Sequence, residues 1–216
     1  MQASSGRGGF CKKLTRVRLP GSRAGDRAHS AGPKRGTATT IQRMPSPRWK
    51  PSVTVAAIAE QLLGGTRRFL LIEEHTPEGL RLNNPAGHLD EGESPLQAVQ
   101  RECLEETACA FVPQALLGVY LARFVRPAQA DAAAEDVTYL RFAYSGTVGE
   151  PDPARTLDTG IVRRLWLTID EVRATAHHHR SPLVLRCIED HIAGARHALD
   201  VVWADPLLQQ PGPLGA

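Results

Sequence analysis

Cysteine is sparse in this chain and falls in no pairing pattern. Cys11, Cys103, Cys109 and Cys187 include no Cys-x-x-Cys, so no disulfide framework is legible and a reducing cytoplasm fits best. Long apolar runs are missing too. The nearest, Val53 to Ala59, is interrupted by Thr54 and falls far short of the ~20 residues that a membrane span needs. No internal repeat is visible. The first 43 residues hold one acid, Asp26, and no apolar stretch of the kind that forms the centre of a secretory signal.

What is present divides sharply. Residues 1–43 carry ten Lys or Arg against Asp26, a net +9, and the remaining residues carry 16 basic against 22 acidic, a net −6. Rich in Gly, Ser, Arg and Ala, the basic segment has too little apolar surface to offset its ordering entropy and is expected to be disordered. It resembles a transit peptide in its Arg and Ser content without a clear amphipathic helix, and a basic arm of this kind can also bind nucleic acid through phosphates. The preferred expectation is that Met44 is the true start and that the preceding residues are an upstream extension of the reading frame. With 42% hydrophobic residues over 216, the remainder suits one substantial core. A single domain is expected over 44–205, followed by a flexible tail over 206–216.

The informative segment is Gly87 to Cys109, where a glycine, a lone Glu93 and an Arg101-Glu102-x-x-Glu105-Glu106 cluster stand at fixed spacings. Ser94 is a good N-cap, Pro95 fits the first helical position and Gln97 completes a capping box, so a helix is predicted from about Pro95 to Thr107. At about 100° per residue, Leu96, Val99, Cys103 and Thr107 form its core stripe, and Glu105, Glu102 and Glu106 share a flank near 180°, 240° and 280°. Like charges so placed cost roughly 0.2–0.5 kcal/mol per exposed pair. A bound cation removes that cost, and all-oxygen ligands suit a hard ion, Mg²⁺ first and Mn²⁺ second. Residues 83–87, Asn-Asn-Pro-Ala-Gly, read as a loop in which Gly87 allows close backbone approach and leaves a carbonyl free as a further ligand.

These residues match the Nudix box, G-x5-E-x7-R-E-U-x-E-E-x-G-U with U aliphatic, through Gly87, Glu93, Arg101, Glu102, Glu105 and Glu106. The chain therefore resembles a Nudix hydrolase, departing at Cys103 (an aliphatic position) and Ala108 (the last glycine). From Trp49 to about Val202 it is most similar to the phosphatase NudJ group, in residues 50–55 (Lys-Pro-Ser-Val-Thr-Val), 84–89 (Asn-Pro-Ala-Gly-His-Leu) and 180–184 (Arg-Ser-Pro-Leu-Val). The resemblance implies an α/β fold, an α/β/α sandwich with a mixed sheet. It implies metal ligation by Glu102, Glu105 and Glu106, with Glu102 also acting as base in some members, and it gives Arg101 and Glu93 the part of orienting those carboxylates. It further implies removal of terminal phosphate from nucleoside tri- and diphosphates and hydrolysis of the hydroxymethylpyrimidine diphosphate of thiamine biosynthesis.

Outside the box the reading is coarser. Strands are expected over Ser52–Ala59 and Arg68–Glu74, joined at Gly64-Gly65, and over Val119–Val125, Val137–Tyr144 and Arg163–Leu167. Thr168 caps a short helix, Asp170–Thr175, and a last helix runs from about Pro182 to Gly194. His88 either contacts phosphate or caps its loop. Glu135 and Asp136 read as a solvated loop, with an added ligand or base as the sharper alternative. Residues 177–179, His-His-His, point in different directions on any regular element and make a poor metal site. Tyr139, Phe142 and Trp166 alternate as strand core would, and base stacking cannot be read from them. Two other functions stay open: a Nudix hydrolase of another diphosphate (ADP-ribose, a dinucleoside polyphosphate or an RNA 5′ end), and a non-catalytic nucleotide sensor. A small-molecule substrate is expected rather than a membrane or nucleic acid, on a monomer or homodimer.

Overall fold

A computed structural model describes residues 48–126, 128 and 134–209. Residues 1–47, which include the basic segment, residues 127 and 129–133, and residues 210–216 lie outside the described residues. Pro206–Gln209, within the expected tail, form a 3₁₀ turn.

Among the described residues, seven strands and three α-helices follow in the order β1 (Ser52–Leu63), β2 (Thr66–Thr76), β3 (Gly79–Asn83), β4 (Ala86–His88), α1 (Pro95–Thr107), β5 (Phe111–Arg126), β6 (Glu135–Val148), β7 (Ile161–Leu167), α2 (Ile169–Ala174) and α3 (Leu183–Ile192). One sheet runs β3-β2-β1-β6-β5, with β4 paired to β1 and β7 to β2. β1 and β6 are parallel and the other pairs antiparallel, so the sheet is mixed. The expected hairpin forms at Gly64-Gly65: Leu63 faces Thr66 and both glycines have positive φ, 58° and 77°, the backbone that a two-residue turn matching strand twist requires.

β1 is the central strand and is buried on both faces from Thr54 to Ala59, which is why it reads as a continuous apolar run. Val55, Ala57 and Ala59 face Ala98, Val99 and Cys103 of α1, together with Leu70 and Tyr144. Ala56 and Ile58 face the other way, toward Leu183, Val184, Cys187 and Ile188 of α3 and Val172 of α2. Helices thus cover both faces, the α/β/α sandwich expected. No helix among the described residues is long and apolar enough to cross a membrane.

α1 spans the expected Pro95–Thr107, with both halves of the Ser94/Gln97 capping box in place. Its stripe is buried at Val99, Cys103 and Thr107 but only half-buried at Leu96, and Ala98 and Glu106 join the buried set. Three other expectations are corrected. Residues 83–87 are not a loop: Asn83 ends β3 and Ala86–His88 pair with Thr54–Ala56 of β1 as β4. β5 starts at Phe111, eight residues before expected, because its breakers are absorbed in register shifts between Pro113 and Ala115 and between Leu116 and Gly118. Pro113 is tolerated because β5 lies at the sheet edge. Glu135 and Asp136 belong to β6, cross-strand partners of Arg126 and Val125.

Ala108, where the family pattern has glycine, adopts the left-handed cap conformation that glycine would, φ 59° and ψ 15°, and its N–H donates to Leu104 O. The backbone shape after the helix is therefore kept at a steric cost of roughly 1–2 kcal/mol. Ala108→Gly relieves that cost but removes a buried methyl worth about 0.8 kcal/mol, so urea unfolding should place it within about 1 kcal/mol of the wild type. Ala108→Val, β-branched at positive φ, should destabilise by at least about 2 kcal/mol; a neutral valine variant would mean that this turn is not held left-handed.

Candidate active site

The capping box sets where α1 begins, and the helical period then brings Arg101 back over the residues that precede it. Its guanidinium clamps Glu93 with two hydrogen bonds, Nε to Oε2 at 3.1 Å and Nη2 to Oε1 at 2.6 Å. Nη1 donates to Glu102 Oε1 at 2.8 Å and to Glu105 Oε2 at 3.1 Å, and Nη2 also reaches the His88 carbonyl at 3.0 Å. Hydrogen bonds that Arg101 donates to Glu93 first, and then to Glu102 and Glu105, raise its pKa and keep it charged. Burial would raise Glu93, but the Arg101 contacts and the Asp90 N–H, 2.8 Å away, outweigh it and hold Glu93 below its ordinary value.

The three helix carboxylates do not share one environment, as a common flank would suggest. Glu102 is mostly buried, its side chain 12% exposed, whereas that of Glu105 is 42% exposed. Burial pushes Glu102 above its ordinary pKa, against the lowering effect of Arg101. Glu106 turns fully inward and accepts the Ala86 N–H through Oε2 at 2.7 Å. Burial, assisted by Glu102, Glu74 and Asp158, pushes it up to about 9.

Gly87 lies against Glu102. A Cβ built there would sit 2.1 Å from the Glu102 carboxyl carbon, so the absent side chain is the space that admits the carboxylate. Its carbonyl is less free than a loop would leave it. Val55 and Gly87 are register partners, flanked by Ala57 N–H to Pro85 O and Leu89 N–H to Val53 O. Alternation along an antiparallel ladder therefore puts Gly87 at a hydrogen-bonded position, with one lone pair of its oxygen left over.

The donor chemistry fits a hard divalent cation: two inward carboxylates on α1, a backbone oxygen opposite and a cavity where waters and phosphates can complete the shell. No finished cage of three His, Cys, Asp or Glu stands among the described residues, since Arg101 draws Glu102 and Glu105 to itself. Residues 177–179 do not all point apart, as a regular element would have them: His177 and His178 sit in a 3₁₀ turn with their rings 4.1 Å apart, and His177 and His179 line the same cavity.

Beside the cradle opens a cavity of 760 Å³, lined among others by Gly87, His88, Thr54, Tyr139 and Arg141. His88 and Tyr139 bring their rings to 6.2 Å there. Glu135 also lines it but is paired with Arg126 at 3.2 Å, and Asp136 is bound by Arg123 at 2.6 Å, both as cross-strand ion pairs. Phe142 and Trp166 pack instead against the α1 core. Thr54, Asn83 and Arg141, all buried in the cavity wall, were missed by the sequence reading. The available signal was Arg141 itself, a charge on the strand face shared with Tyr139 and Ala143.

An arginine-clamped carboxylate helix opposite a glycine, at the mouth of an α/β/α cavity, defines a hydrolase of the Nudix class. The chain belongs to that family: the NUDIX domain model matches residues 51–187. It is 30% identical over 154 residues to Phosphatase NudJ of Escherichia coli K12, covering 71% of this chain and 92% of that protein. A solved NUDIX hydrolase from Nitrosomonas europaea is 48% identical, covers 72% of this chain and 98% of its own, and superposes with a TM-score of 0.62. A UDP-X diphosphatase, 17% identical with a TM-score of 0.50 and covering 70% of this chain and 68% of its own, shares the fold.

Glu106 makes stability depend on pH when no cation is present. Its folded pKa, about 9, lies above the unfolded value of 4.5. The unfolded chain thus releases this proton first, and stability falls as pH rises from about 4.5 toward 9. In chelator, Glu106→Gln should flatten that decline and unfold at a higher temperature than wild type at pH 8. Parallel melting curves for the two proteins would contradict the inward, protonated placement of Glu106.

Proposed function

We propose that the protein is a Mg²⁺-dependent phosphohydrolase that removes the terminal phosphate from nucleoside tri- and diphosphates. Hydroxymethylpyrimidine diphosphate of the thiamine pathway is a further substrate, Mn²⁺ is a workable substitute, and the cytoplasm is the site of action. The observation that carries the reading is the Gly87–Glu102 apposition beside buried Glu106. The likeness to Phosphatase NudJ supports phosphate removal as the reaction.

Glu102, Glu105, Glu106 and the remaining lone pair of Gly87 would hold the ion. When bound, it supplies neutralisation of phosphate oxygens and polarises a water. The protein's own groups divide the rest. Both Glu102 oxygens lie against Gly87; Arg101 holds Oε1, and Oε2 would accept the proton of the attacking water. Burial, which raises the Glu102 pKa above its ordinary value, makes that carboxylate a stronger proton acceptor. Glu93 and the His88 carbonyl keep the guanidinium in place, making Glu93 a positioning residue. His88 lines the cavity, and its imidazole would contact substrate phosphate.

Assaying orthophosphate and pyrophosphate release with Mg²⁺ across nucleoside di- and triphosphates, ADP-ribose and the pyrimidine diphosphate tests the reading. Orthophosphate should be released, and Glu102→Gln and Glu105→Gln should each lower kcat by on the order of 100-fold or more. Undiminished activity in both variants would refute the assignment. Pyrophosphate or paired monophosphates as products would keep the hydrolase and replace the substrate class. Gly87→Ala, which sets a methyl on the Glu102 carboxylate, should lose comparable activity while remaining folded by circular dichroism; an active alanine variant would sever the cradle from the chemistry.

A further inference from the structure

The cavity wall holds a group that the proposed hydrolysis does not use. Arg141 is 8% exposed, and its Nε and Nη1 have no hydrogen-bond partner. The other arginines of the cavity have partners: Arg126 pairs with Glu78 at 2.9 Å and with Glu135, Arg123 pairs with Asp136, Arg180 lies 3.9 Å from Glu74, and half-buried Arg81 donates to the Leu80 carbonyl at 3.2 Å. Among the described residues no carboxylate forms an ion pair with Arg141. Burial depresses its pKa, yet a guanidinium stays charged under ordinary conditions. An unpaired buried charge is expensive and calls for a counter-charge. Two neutral groups lining the same cavity are also unpartnered, Thr54 Oγ1 and Asn83 Oδ1.

Strand register places this group relative to the cradle. Arg141 of β6 faces Thr54 of β1, which on its other edge faces His88 of β4, the neighbour of Gly87. The three residues form a row across adjacent strands, so Arg141 and His88 stand about 10 Å apart along the sheet. A guanidinium is built for forked contact with phosphate oxygens.

We propose that Arg141 binds a phosphate oxygen of the substrate away from the Gly87–Glu102 cradle, with Thr54 and Asn83 as its neutral neighbours. The Arg141 contact therefore strengthens binding only of a ligand that carries a phosphate beyond the one at the cradle. This deepens the phosphohydrolase reading and rests on the same site. Arg141 is a binding and specificity residue; the protons are moved elsewhere.

Calorimetric titration of the full chain in chelator, with inorganic pyrophosphate, orthophosphate, a nucleoside diphosphate and its unphosphorylated nucleoside, tests the proposal without turnover. Wild type should bind pyrophosphate at least tenfold more tightly than orthophosphate. Arg141→Met should lose at least tenfold in pyrophosphate and nucleoside diphosphate affinity, leave the nucleoside unchanged and melt no lower than wild type, because it removes an unpaired charge. Arg141→Lys, which keeps the charge and loses the fork, should fall between the two, and it carries the test if the methionine variant is insoluble. Equal pyrophosphate binding in wild type and Arg141→Met, weakened nucleoside binding instead, or no metal-free pyrophosphate binding by wild type would each overturn the proposal. Glu105→Gln separates the two readings: it should lose turnover and keep metal-free pyrophosphate binding. Arg141-dependent binding in a protein that hydrolyses no phosphate would remove the phosphohydrolase reading and leave this one standing.

Discussion

Everything at the site hangs on one guanidinium. Arg101 ties Glu93, before the helix, to Glu102 and Glu105 on it, and through the His88 carbonyl it ties all three to β4. Helix, preceding loop and strand are thereby locked into a single rigid corner. Without it, Glu102 and Glu105 would repel one another across one helical turn and the loop would have no charged anchor. The arginine also makes the acidic flank tolerable before any cation arrives, which explains why the carboxylates cluster about it rather than forming an open cage.

The other half of the architecture is the division of labour along β1. Its residues from Glu60 onward pair with β2, whereas Thr54–Ala56 pair with the short β4 on one edge and with β6 on the other. Alternation then sorts side chains: odd-numbered Val55, Ala57 and Ala59 support α1 and its carboxylates, and even-numbered Thr54, Ala56 and Ile58 face α3 and the cavity. Glu106 and Gly87 join the two sides, since Glu106 reaches under the sheet to the Ala86 N–H.

Much of this was legible before the fold was known, and for identifiable reasons. α1 carries its own start signals at Ser94, Pro95 and Gln97, so its limits follow from local chemistry alone. The hairpin at Gly64-Gly65 is equally local. β3 and β4 were not legible, because strands of five and three residues around Asn84-Pro85 have no period long enough to register, and they exist only through pairing with β1 and β2. The inward turn of Glu106 lay at the limit of resolution: it falls about 20° from Val99 on the helical wheel, and whether such a residue is flank or core depends on what the sheet opposite it offers. Arg141 required register across three strands, a long-range property that no window of sequence contains.

The row Arg141–Thr54–His88 is set by backbone hydrogen bonds, and its length is consequently counted in whole strands. Side-chain substitution along it can change which chemical group stands at either end, but it cannot stretch the interval between the ends, because neighbouring strands keep a spacing near 4.8 Å whatever residues they carry. The sheet here works as a ruler with fixed graduations. Selection acting on this surface would find it easy to exchange one head group for another and hard to accept a ligand of intermediate length, which makes ligand span the conservative trait and ligand identity the variable one.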